Sequence, residues 1–197
     1  MSNLYKIIAI DPSTSKTGYC TAIIDNDTET KRIQDAVDVD YGVISTHKFV
    51  EGTFYKIIRI ITAVSELLDD DRIEGSNRVM FIEGYSYGSF GKSSSVSDLV
   101  ELSGAMKYMA FTQDVDFFAI PPTTIKKFLC GSGNAKKEDM KLNAYKKYGI
   151  EFKTSDEADA YALADLAISA IFGRHNPTKK EQETIEVVKS IMEKGLS

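Results

Sequence analysis

The sequence predicts an α/β fold in which a mixed five-stranded sheet is flanked by helices. Three strand-like segments follow one another closely near the start of the 197-residue chain, and such spacing favours an antiparallel meander. Two further apolar strands are separated by helical patterns, an alternation typical of βαβ crossovers. With 43% hydrophobic and 27% charged residues, the composition is that of a folded globular protein rather than a fibre or a disordered chain.

The predicted meander occupies the first quarter of the chain. Residues 6–11 form a nearly continuous apolar run, as expected of a strand buried on both faces. Residues 18–24 are a second strand, entered through the turn-rich segment PSTSKTG, and residues 39–46 are a third. The acidic segment 25–38 between them is predicted to be a turn or loop.

The rest of the chain is predicted to contain helices with two more strands among them. In chain order the elements are a helix over 54–68, a strand over Arg78–Glu83, a helix over 96–112, a strand over 115–120, and helices over 123–129, 136–148, Ser155–Phe172 and 181–193. Thr53 is the candidate N-cap of the first helix. We expect one structured domain over residues 1–173, followed by a charged helical tail over 174–197.

Charge is distributed unevenly along the chain, whose net charge is −5. Residues 25–40 hold six acids against two bases, whereas residues 126–147 hold seven lysines against two acids. Because a polyanion meets one face rather than the total charge, the basic segment keeps nucleic acid open as a partner.

Other features exclude several classes of protein. No apolar run approaches the roughly 20 residues of a membrane span, and the N-terminus lacks the pattern of a signal peptide. Cys20 and Cys130 form no metal or disulfide motif, and His47 and His175 are equally isolated. We therefore expect a cytosolic protein whose metal, if it uses one, has oxygen ligands.

Two of the predicted buried strands end on a carboxylate. Asp11 follows the apolar run IIAI and Glu83 follows MFI. If these strands are parallel neighbours, both acids lie at their carboxyl ends, where open α/β sheets place their sites. One such acid alone is as well explained as a loop residue, but the pair is harder to explain by folding.

A third acidic element opens the helix SDEADAYALADLA. Asp156 and Asp159 are three residues apart and share a helix face. Alone they are explained by the preference of a helix N-terminus for negative charge. Four alanines that alternate along the helix, however, allow it to pack closely on the sheet, which could bring both acids near Asp11 and Glu83.

Four converging carboxylates would repel each other and raise each other's pKa values, and a divalent cation relieves that repulsion. Ligation by oxygen alone suits Mg²⁺ or Mn²⁺. Two such ions could activate a water and stabilise the leaving oxygen of a phosphodiester. The sequence therefore suggests metal-assisted phosphodiester hydrolysis.

The segment TIKKFLCGSGNAKK supplies candidate phosphate contacts. A Gly-x-Gly turn lies between two lysine pairs, and glycines let the backbone approach a phosphate that lysines neutralise. The candidate DNA-binding residues of this region are Lys126, Lys127, Gly131, Gly133, Lys136 and Lys141. Lys137 could face the scissile phosphate and act in catalysis. A solvated lysine-rich helix beside an ordinary turn is the alternative.

The loop 84–95 follows directly from Glu83. Tyr85 and Tyr87, together with Phe90, could stack on bases or wedge between them. The alternative is a mobile surface loop with one of its aromatic side chains packed into the core.

These segments together resemble the RuvC-type Holliday junction resolvases, which have a ribonuclease-H-like fold and include phage-type members. The resemblance rests on four motifs in the family's order, from residue 6 to about 172: IAIDPSTSKTGY, FIEGYSYG, IKKFLCGSGNAKK and SDEADAYALADLA. It implies a metal-binding and catalytic role for Asp11, Glu83, Asp156 and Asp159. It also implies that Lys126 and Lys137 are basic residues of the DNA-binding region.

The resemblance further implies a Mg²⁺-dependent homodimer, with two ions per site, that nicks two opposed strands of a four-way junction in the cytoplasm, or in the host cytoplasm for a phage protein. The expected partners are branched DNA and a second copy of the chain, with no membrane and no small-molecule substrate. We expect the dimer interface on the helix over 96–112, whose apolar residues occupy more than one stripe. One stripe of this helix carries Leu99, Leu102, Met106 and Met109, which form either the interface or the side that faces the domain's own core. Further apolar residues on the helix are Val100, Ala105, Tyr108 and Phe111.

Three other functions compete with this one. A broader structure-specific or debranching nuclease of the same fold would share every motif. An actin-like kinase or ATPase could use IAIDPSTSKTG as a phosphate-binding hairpin, but such folds need two domains and 197 residues leave little room. A catalytically inactive DNA-binding subunit would have no need of four mutually repelling acids.

Overall fold

The computed structural model describes residues 3–27, 32–46, 52–69, 73, 77–84 and 94–195. Its centre is one five-stranded sheet in the order β3-β2-β1-β4-β5. The strands are β1 Leu4–Asp11, β2 Lys16–Asp25, β3 Asp38–Ser45, β4 Arg78–Glu83 and β5 Asp116–Ile120. The pairs β1–β2 and β2–β3 are antiparallel, whereas β1–β4 and β4–β5 are parallel. The predicted mixed sheet is therefore confirmed.

Six helices surround the sheet in the described part of the chain: α1 Thr53–Leu68, α2 Ser94–Thr112, α3 Pro122–Cys130, α4 Lys137–Tyr148, α5 Ser155–Phe172 and α6 Lys179–Gly195. The expected N-cap of α1 is wrong, because Gly52 precedes the helix and Thr53 is its first residue. The acidic segment expected to be a turn or loop contains a short 3₁₀ turn, Ile33–Asp35.

Apolar residues alternate along β1 between two cores. Ile7 and Ala9 face a core that α3, α4, α5 and α6 share, whereas Ile8 and Ile10 face the core of α1 and α2. All four are fully buried, which explains why the sequence of β1 is apolar without a gap. The sheet is thus covered by helices on both sides.

Helix α5 packs across β1 and β2. The four alanines that alternate along its first half, Ala158, Ala160, Ala162 and Ala164, are all fully buried. Their small side chains allow the helix axis to lie close to the sheet, as the sequence predicted. This close packing sets the position of the acidic first turn of α5.

Helix α6 packs on the structure through its apolar face. It contacts α3, α5 and β5, and Ile185 and Val188 are buried in the same core as α5. The predicted division between residues 1–173 and 174–197 stays a prediction.

One of the apolar stripes on α2, a candidate for the dimer interface, faces inward. Leu102, Met106 and Met109 are buried in the core with β1 and β4, so this stripe faces the domain's own core and does not form an interface. A dimer contact elsewhere on α2 stays a prediction. A different stripe is exposed, in which Tyr108 is 71% and Phe111 is 81% accessible. No described helix is both long and apolar enough to span a membrane.

Candidate metal centre

The acids of β1 and β4 lie side by side at one edge of the sheet. Asp11 is the last residue of β1 and Glu83 is the last residue of β4. The strands are parallel, and Ile10 pairs with Ile82 immediately before the two acids. The carboxyl ends of both strands thus meet at the same edge, as the sequence predicted.

Asp159 of α5 joins this pair. Carboxylate oxygens of Asp11, Glu83 and Asp159 all lie within 4.8 Å of one another. All three residues are partly withdrawn from solvent, although none is completely buried. We refer to Asp11, Glu83 and Asp159 as the acid triad.

The first turn of α5 is fixed by a capping box. The hydroxyl of Thr154 accepts a hydrogen bond from the backbone N–H of Glu157 at 3.1 Å, and the Glu157 carboxylate accepts from the N–H groups of Lys153 and Thr154. These bonds satisfy donors that a helix N-terminus otherwise leaves unpaired. They define where the helix begins and hence the direction in which Asp159 points.

Gly18 lets the start of α5 approach the sheet. Gly18 of β2 pairs with Asp11 across the β1–β2 ladder. A Cβ added to Gly18 would lie only 2.6 Å from the carbonyl carbon of Asp156, a distance that real side chains do not adopt. A glycine inside a strand often marks such a close approach of another backbone.

Asp156 lies at the margin of the triad rather than inside it. Its Oδ1 accepts a hydrogen bond from the Nζ of Lys137 at 2.8 Å. The negative charge of Asp156 still contributes to raising the pKa values of all three triad acids. Three of the four predicted acids therefore converge, and the fourth is held by a lysine beside them.

Burial and mutual repulsion disfavour the ionised forms of the triad. Burial, followed by the charges of Glu83 and Asp159, raises the pKa of Asp11 well above its ordinary range. Burial and the charge of Asp159 raise the pKa of Glu83 to about 7. Burial also raises the pKa of Asp159 to about 6, although Lys137 opposes that rise. A cation would relieve this cost.

The arrangement fits a hard divalent cation. The acid triad offers only oxygen ligands, which magnesium-like and manganese-like ions prefer. In addition, the Oδ1 of Asp159 is buried and has no hydrogen-bond partner among the described residues. A buried carboxylate oxygen without a partner is unfavourable unless something else binds it. These residues could therefore hold a metal ion.

Lys126 and Lys137 place positive charge beside the acids. Lys126 on α3 lies close enough to lower the pKa values of Glu83 and Asp159. Burial lowers the pKa of Lys137, but the hydrogen bond to Asp156 and nearby acids outweigh it, so the net shift is upward. The ammonium of Lys137 is thus charged at neutral pH, and its side chain is 62% exposed.

The other candidate DNA-binding residues are distributed more widely. Lys127 forms an ion pair with Glu183 of α6 at 2.7 Å rather than with an acid of the triad. Lys136 is the exposed N-cap of α4. Lys141 donates to the backbone carbonyl of Lys153 at 3.1 Å. Their predicted contacts with DNA stay predictions.

The two glycines of the basic segment have different surroundings. Gly131 ends α3 with a φ of 73°, a conformation that favours glycine. A Cβ on Gly133 would lie 3.1 Å from the carbonyl oxygen of Thr123, so this turn packs against the start of α3. Tyr85 and Tyr87 lie outside the described residues.

Sequence reasoning missed two residues that organise this region. Gly18 was overlooked, although a glycine within a strand is a signal of close backbone contact. Asp165 is fully buried in the apolar half of α5 and accepts hydrogen bonds from Arg174 at 2.9 and 3.0 Å. A charged residue inside an apolar helix predicts a buried partner, but it does not identify Arg174.

Comparison with known proteins agrees with this geometry. The family described as "Crossover junction endodeoxyribonuclease RuvC" matches residues 7–178. RuvC of Prochlorococcus marinus (strain MIT 9312) is 29% identical over 165 residues, which cover 81% of this chain and 93% of that protein.

Two solved structures show the same fold. The Thermus thermophilus RuvC structure has a TM-score of 0.62 at 24% identity and covers 88% of this chain and 99% of its own. T. thermophilus RuvC in complex with Holliday junction substrate also has a TM-score of 0.62, at 22% identity, with the same coverage. The family match extends from β1 through α5 and includes every acid of the triad, so the chain belongs to the RuvC family of crossover junction endodeoxyribonucleases.

Proposed function

We propose that this protein is a divalent-metal-dependent endonuclease that resolves four-way (Holliday) DNA junctions by paired, symmetric nicks. The observation that carries the proposal is the convergence of Asp11, Glu83 and Asp159 at the carboxyl ends of β1 and β4. Membership of the RuvC family supports the junction as substrate, as does the Holliday junction substrate bound by the T. thermophilus relative.

The acid triad would hold the metal, with Asp156 as a further acid at its margin. We propose Mg²⁺ as the ion, with Mn²⁺ as a substitute and two ions in each site. Such ions, when bound, lower the pKa of a water and stabilise the charge of the leaving 3′ oxygen. The protein's own contribution is to hold the three carboxylates together at a partly buried edge of the sheet, where their electrostatic attraction to a cation is stronger than in water.

Lys137 and Lys126 would bind the phosphate at the cut. Lys137 projects from the start of α4 and is held beside the acids by Asp156. A preorganised ammonium next to the reacting phosphate stabilises the negative charge that develops there. Because Asp156 also pairs with Lys137, its proposed role includes orienting this lysine.

The remaining predicted contacts extend the DNA-binding surface. We propose that Lys127, Lys136 and Lys141 neutralise backbone phosphates, while the turn containing Gly131 and Gly133 lets the backbone approach them. We also propose that Tyr85 and Tyr87 stack on bases or wedge between them. We propose that the protein acts on DNA in the cytoplasm, or in the host cytoplasm if it is a phage protein.

A homodimer would supply the two symmetric nicks. The exposed stripe of α2 consists of Val100, Gly104, Tyr108 and Phe111, which recur at helical spacing on one face. A Cβ on Gly104 would meet no described atom within 4 Å, so a partner helix could approach closely there. An isologous contact through this stripe would place two active sites in matching orientation.

A substrate panel tests the proposal. Purified protein is incubated with a four-way junction, a flap, a fork and a linear duplex of matched sequence, with Mg²⁺ and with EDTA. We expect cleavage that needs the metal and paired nicks at opposed positions in the junction. Cleavage of the flap and fork as fast as of the four-way junction would indicate a broader structure-specific nuclease. Cleavage in EDTA would contradict the metal centre.

A further inference from the structure

A strongly basic cavity of about 370 Å³ opens beside α3, near the end of α5 and the start of α6. Five of its side chains are cationic and one is acidic: Arg32, Lys127, Lys147, Arg174, Lys180 and Glu181. Folding does not require such a cluster, because like charges at short range repel each other. These cations do not serve the acid triad, because the triad lies at the start of α5 and the cavity lies near its end.

Two of the cations are held in place by a buried acid. Asp165 accepts hydrogen bonds from the Nη1 of Arg174 at 2.9 and 3.0 Å, and its Oδ2 lies 3.9 Å from the Nζ of Lys147. The hydroxyl of Tyr148 and the backbone N–H of Ile33 donate to the same carboxylate. Arg174 and Lys147 are therefore held in fixed positions in the wall of the cavity, whereas Arg32 and Lys180 are exposed.

Glu181 is the one carboxylate among the described lining residues, and both of its oxygens accept hydrogen bonds. The Oε1 of Glu181 accepts from Lys147 at 2.8 Å, and its Oε2 accepts from the backbone N–H of Thr178 at 2.8 Å. Burial opposes ionisation, but these hydrogen bonds lower the pKa of Glu181 to about 2. Glu181 thus organises the wall of the cavity and stays charged.

Positive charge nevertheless remains in excess. Glu183 pairs with Lys127 at 2.7 Å, so five cations face three carboxylates in all, a net charge of +2. Arg32 and Lys180 form no ion pair with any residue in the described ranges. An anion in the cavity would find two unpaired cations and an ordered Arg–Lys pair.

The shape and lining favour a phosphate that is part of a larger molecule. The N-terminus of α6 opens into the same region, and helix N-termini favour anions. The ring of Phe128 is buried and its centroid lies 3.7 Å from the Nζ of Lys147, so it is not accessible for stacking with a nucleobase. The cavity is also open to solvent, as a site on a polymer backbone would be.

Helix α3 connects this cavity to the proposed active site. Lys126 faces Glu83 and Asp159, whereas the next residue, Lys127, lines the cavity. Adjacent residues of α3 therefore contribute positive charge to both places. The family match ends at residue 178, so Lys180 and Glu181 belong to this chain's own C-terminal segment.

We propose that the basic cavity binds a backbone phosphate of a DNA arm, distinct from the scissile phosphate. The proposal rests on the proposed function, because it presupposes that the protein binds DNA. It makes the C-terminal helix part of the DNA-binding surface.

Single-residue variants and their combination test the site. Arg32→Gln and Lys180→Gln remove cations without breaking an ion pair among the described residues, and Lys179→Gln is a matched control for charge outside the cavity. Binding of a four-way junction is measured in Ca²⁺ over a range of salt concentrations. We expect each cavity variant to reduce the slope of log affinity against log salt by about 1, and the control to change it little.

A scan with neutral methylphosphonates locates the contact. One uncharged linkage is placed at each position along a junction arm, and we expect a non-scissile position where it weakens wild-type binding about tenfold. The same linkage should cost the double variant, Arg32→Gln with Lys180→Gln, less than about twofold, because the contact is already lost. An unchanged salt slope together with an unchanged methylphosphonate penalty would overturn the proposal.

Two further measurements distinguish a DNA phosphate from a free anion and the cavity from the active site. The first is the increase in melting temperature that inorganic phosphate gives the wild type and the double variant at equal ionic strength. A larger increase for the wild type, together with identical DNA binding by the two proteins, would show that the cavity binds a free anion and that the DNA assignment is wrong. Junction cleavage by the wild type in Mg²⁺ is measured on the same preparation. No cleavage by the wild type would contradict the proposed function. Cleavage by the wild type, together with unaltered DNA binding by the double variant, would contradict only the proposed role of the cavity.

Discussion

Gly18 of β2 lies in direct contact with the main-chain carbonyl group of Asp156, at the first turn of α5. Gly18 also pairs with Asp11 on the neighbouring strand. The residue thus fixes the separation between the strand that carries one triad acid and the helix that carries another. Any side chain at this position would push the two apart.

We expect Gly18→Ala to reduce cleavage at least tenfold, because a shift of the order of 1 Å at a catalytic group has effects of this size. DNA binding in Ca²⁺ should change much less. The control is Gly52→Ala, since a Cβ on Gly52 meets no described atom within 4 Å. Far-ultraviolet circular dichroism checks that the variant is folded, and wild-type cleavage by folded Gly18→Ala would contradict this role.

Removal of one triad charge should abolish cleavage without abolishing binding. Asp11→Asn keeps the size of the side chain but takes away a proposed metal ligand, so we expect a loss of at least about a hundredfold in the rate of cleavage. Junction affinity in Ca²⁺ or EDTA should be kept or slightly improved. Asp116→Asn, at the exposed start of β5, is the matched control. Near-normal cleavage by Asp11→Asn would show that the metal site is wrong.

The raised pKa values of the triad predict how the stability of the metal-free protein depends on pH. Burial raises the pKa of Glu83 from 4.5 to about 7 and that of Asp159 from 3.8 to about 6. The folded state therefore binds protons more tightly than the unfolded state, and this contribution to stability is complete below about pH 4 and lost as the pH rises to about 7.

We expect the free energy of unfolding in EDTA to fall on the order of 5 kcal/mol between pH 4.5 and 7.5 through these two groups together. Glu83→Gln should flatten that dependence. Saturating Mg²⁺ should add about 1–3 kcal/mol at pH 7.5 and less at pH 5, because protons compete with the metal. Urea unfolding at both pH values measures this, and a larger stabilisation by Mg²⁺ at pH 5 would contradict the prediction.

The two lysines of α4 should separate catalysis from binding. Lys137 contacts Asp156 beside the triad, whereas Lys141 contacts the backbone of Lys153. We expect Lys137→Ala to reduce cleavage by about 100-fold but affinity by only a few-fold. Lys141→Ala should mainly weaken binding and lower the salt slope by about 1. Equal effects of both variants on single-turnover cleavage would argue against a catalytic role for Lys137.

The exposed stripe of α2 predicts a dimer in solution. Phe111→Glu would place a charge within the proposed contact, so we expect sedimentation as a monomer and nicking of one junction strand per encounter. Leu142→Glu is the control, because Leu142 is also exposed, on α4. A wild type that sediments as a monomer at micromolar concentration would exclude this interface.

The sequence by itself determined the fold class and the ends of the elements that carry the acids. The bounds of β4 and α5 agree with the prediction to the residue. Hydrophobic periodicity and end signals act over a few neighbouring residues, so they can be recognised without knowledge of the fold. The convergence of Asp11 and Glu83 followed from the same information, because parallel strands align their ends.

The tertiary structure alone decided which side chains meet. It placed Asp159 in the triad and Asp156 against Lys137, although both acids share one face of α5. It directed Lys126 to the acids and Lys127 to the basic cavity.

The same limit explains why the sequence left open which apolar stripe of α2 faces the core, because both stripes consist largely of apolar residues. It also explains why the Asp165–Arg174 pair and the contact of Gly18 with Asp156 could not be foreseen. Each of these depends on the distance and rotation between elements that pack together only in the folded chain. Those quantities are set by the packing of the whole core, not by local sequence.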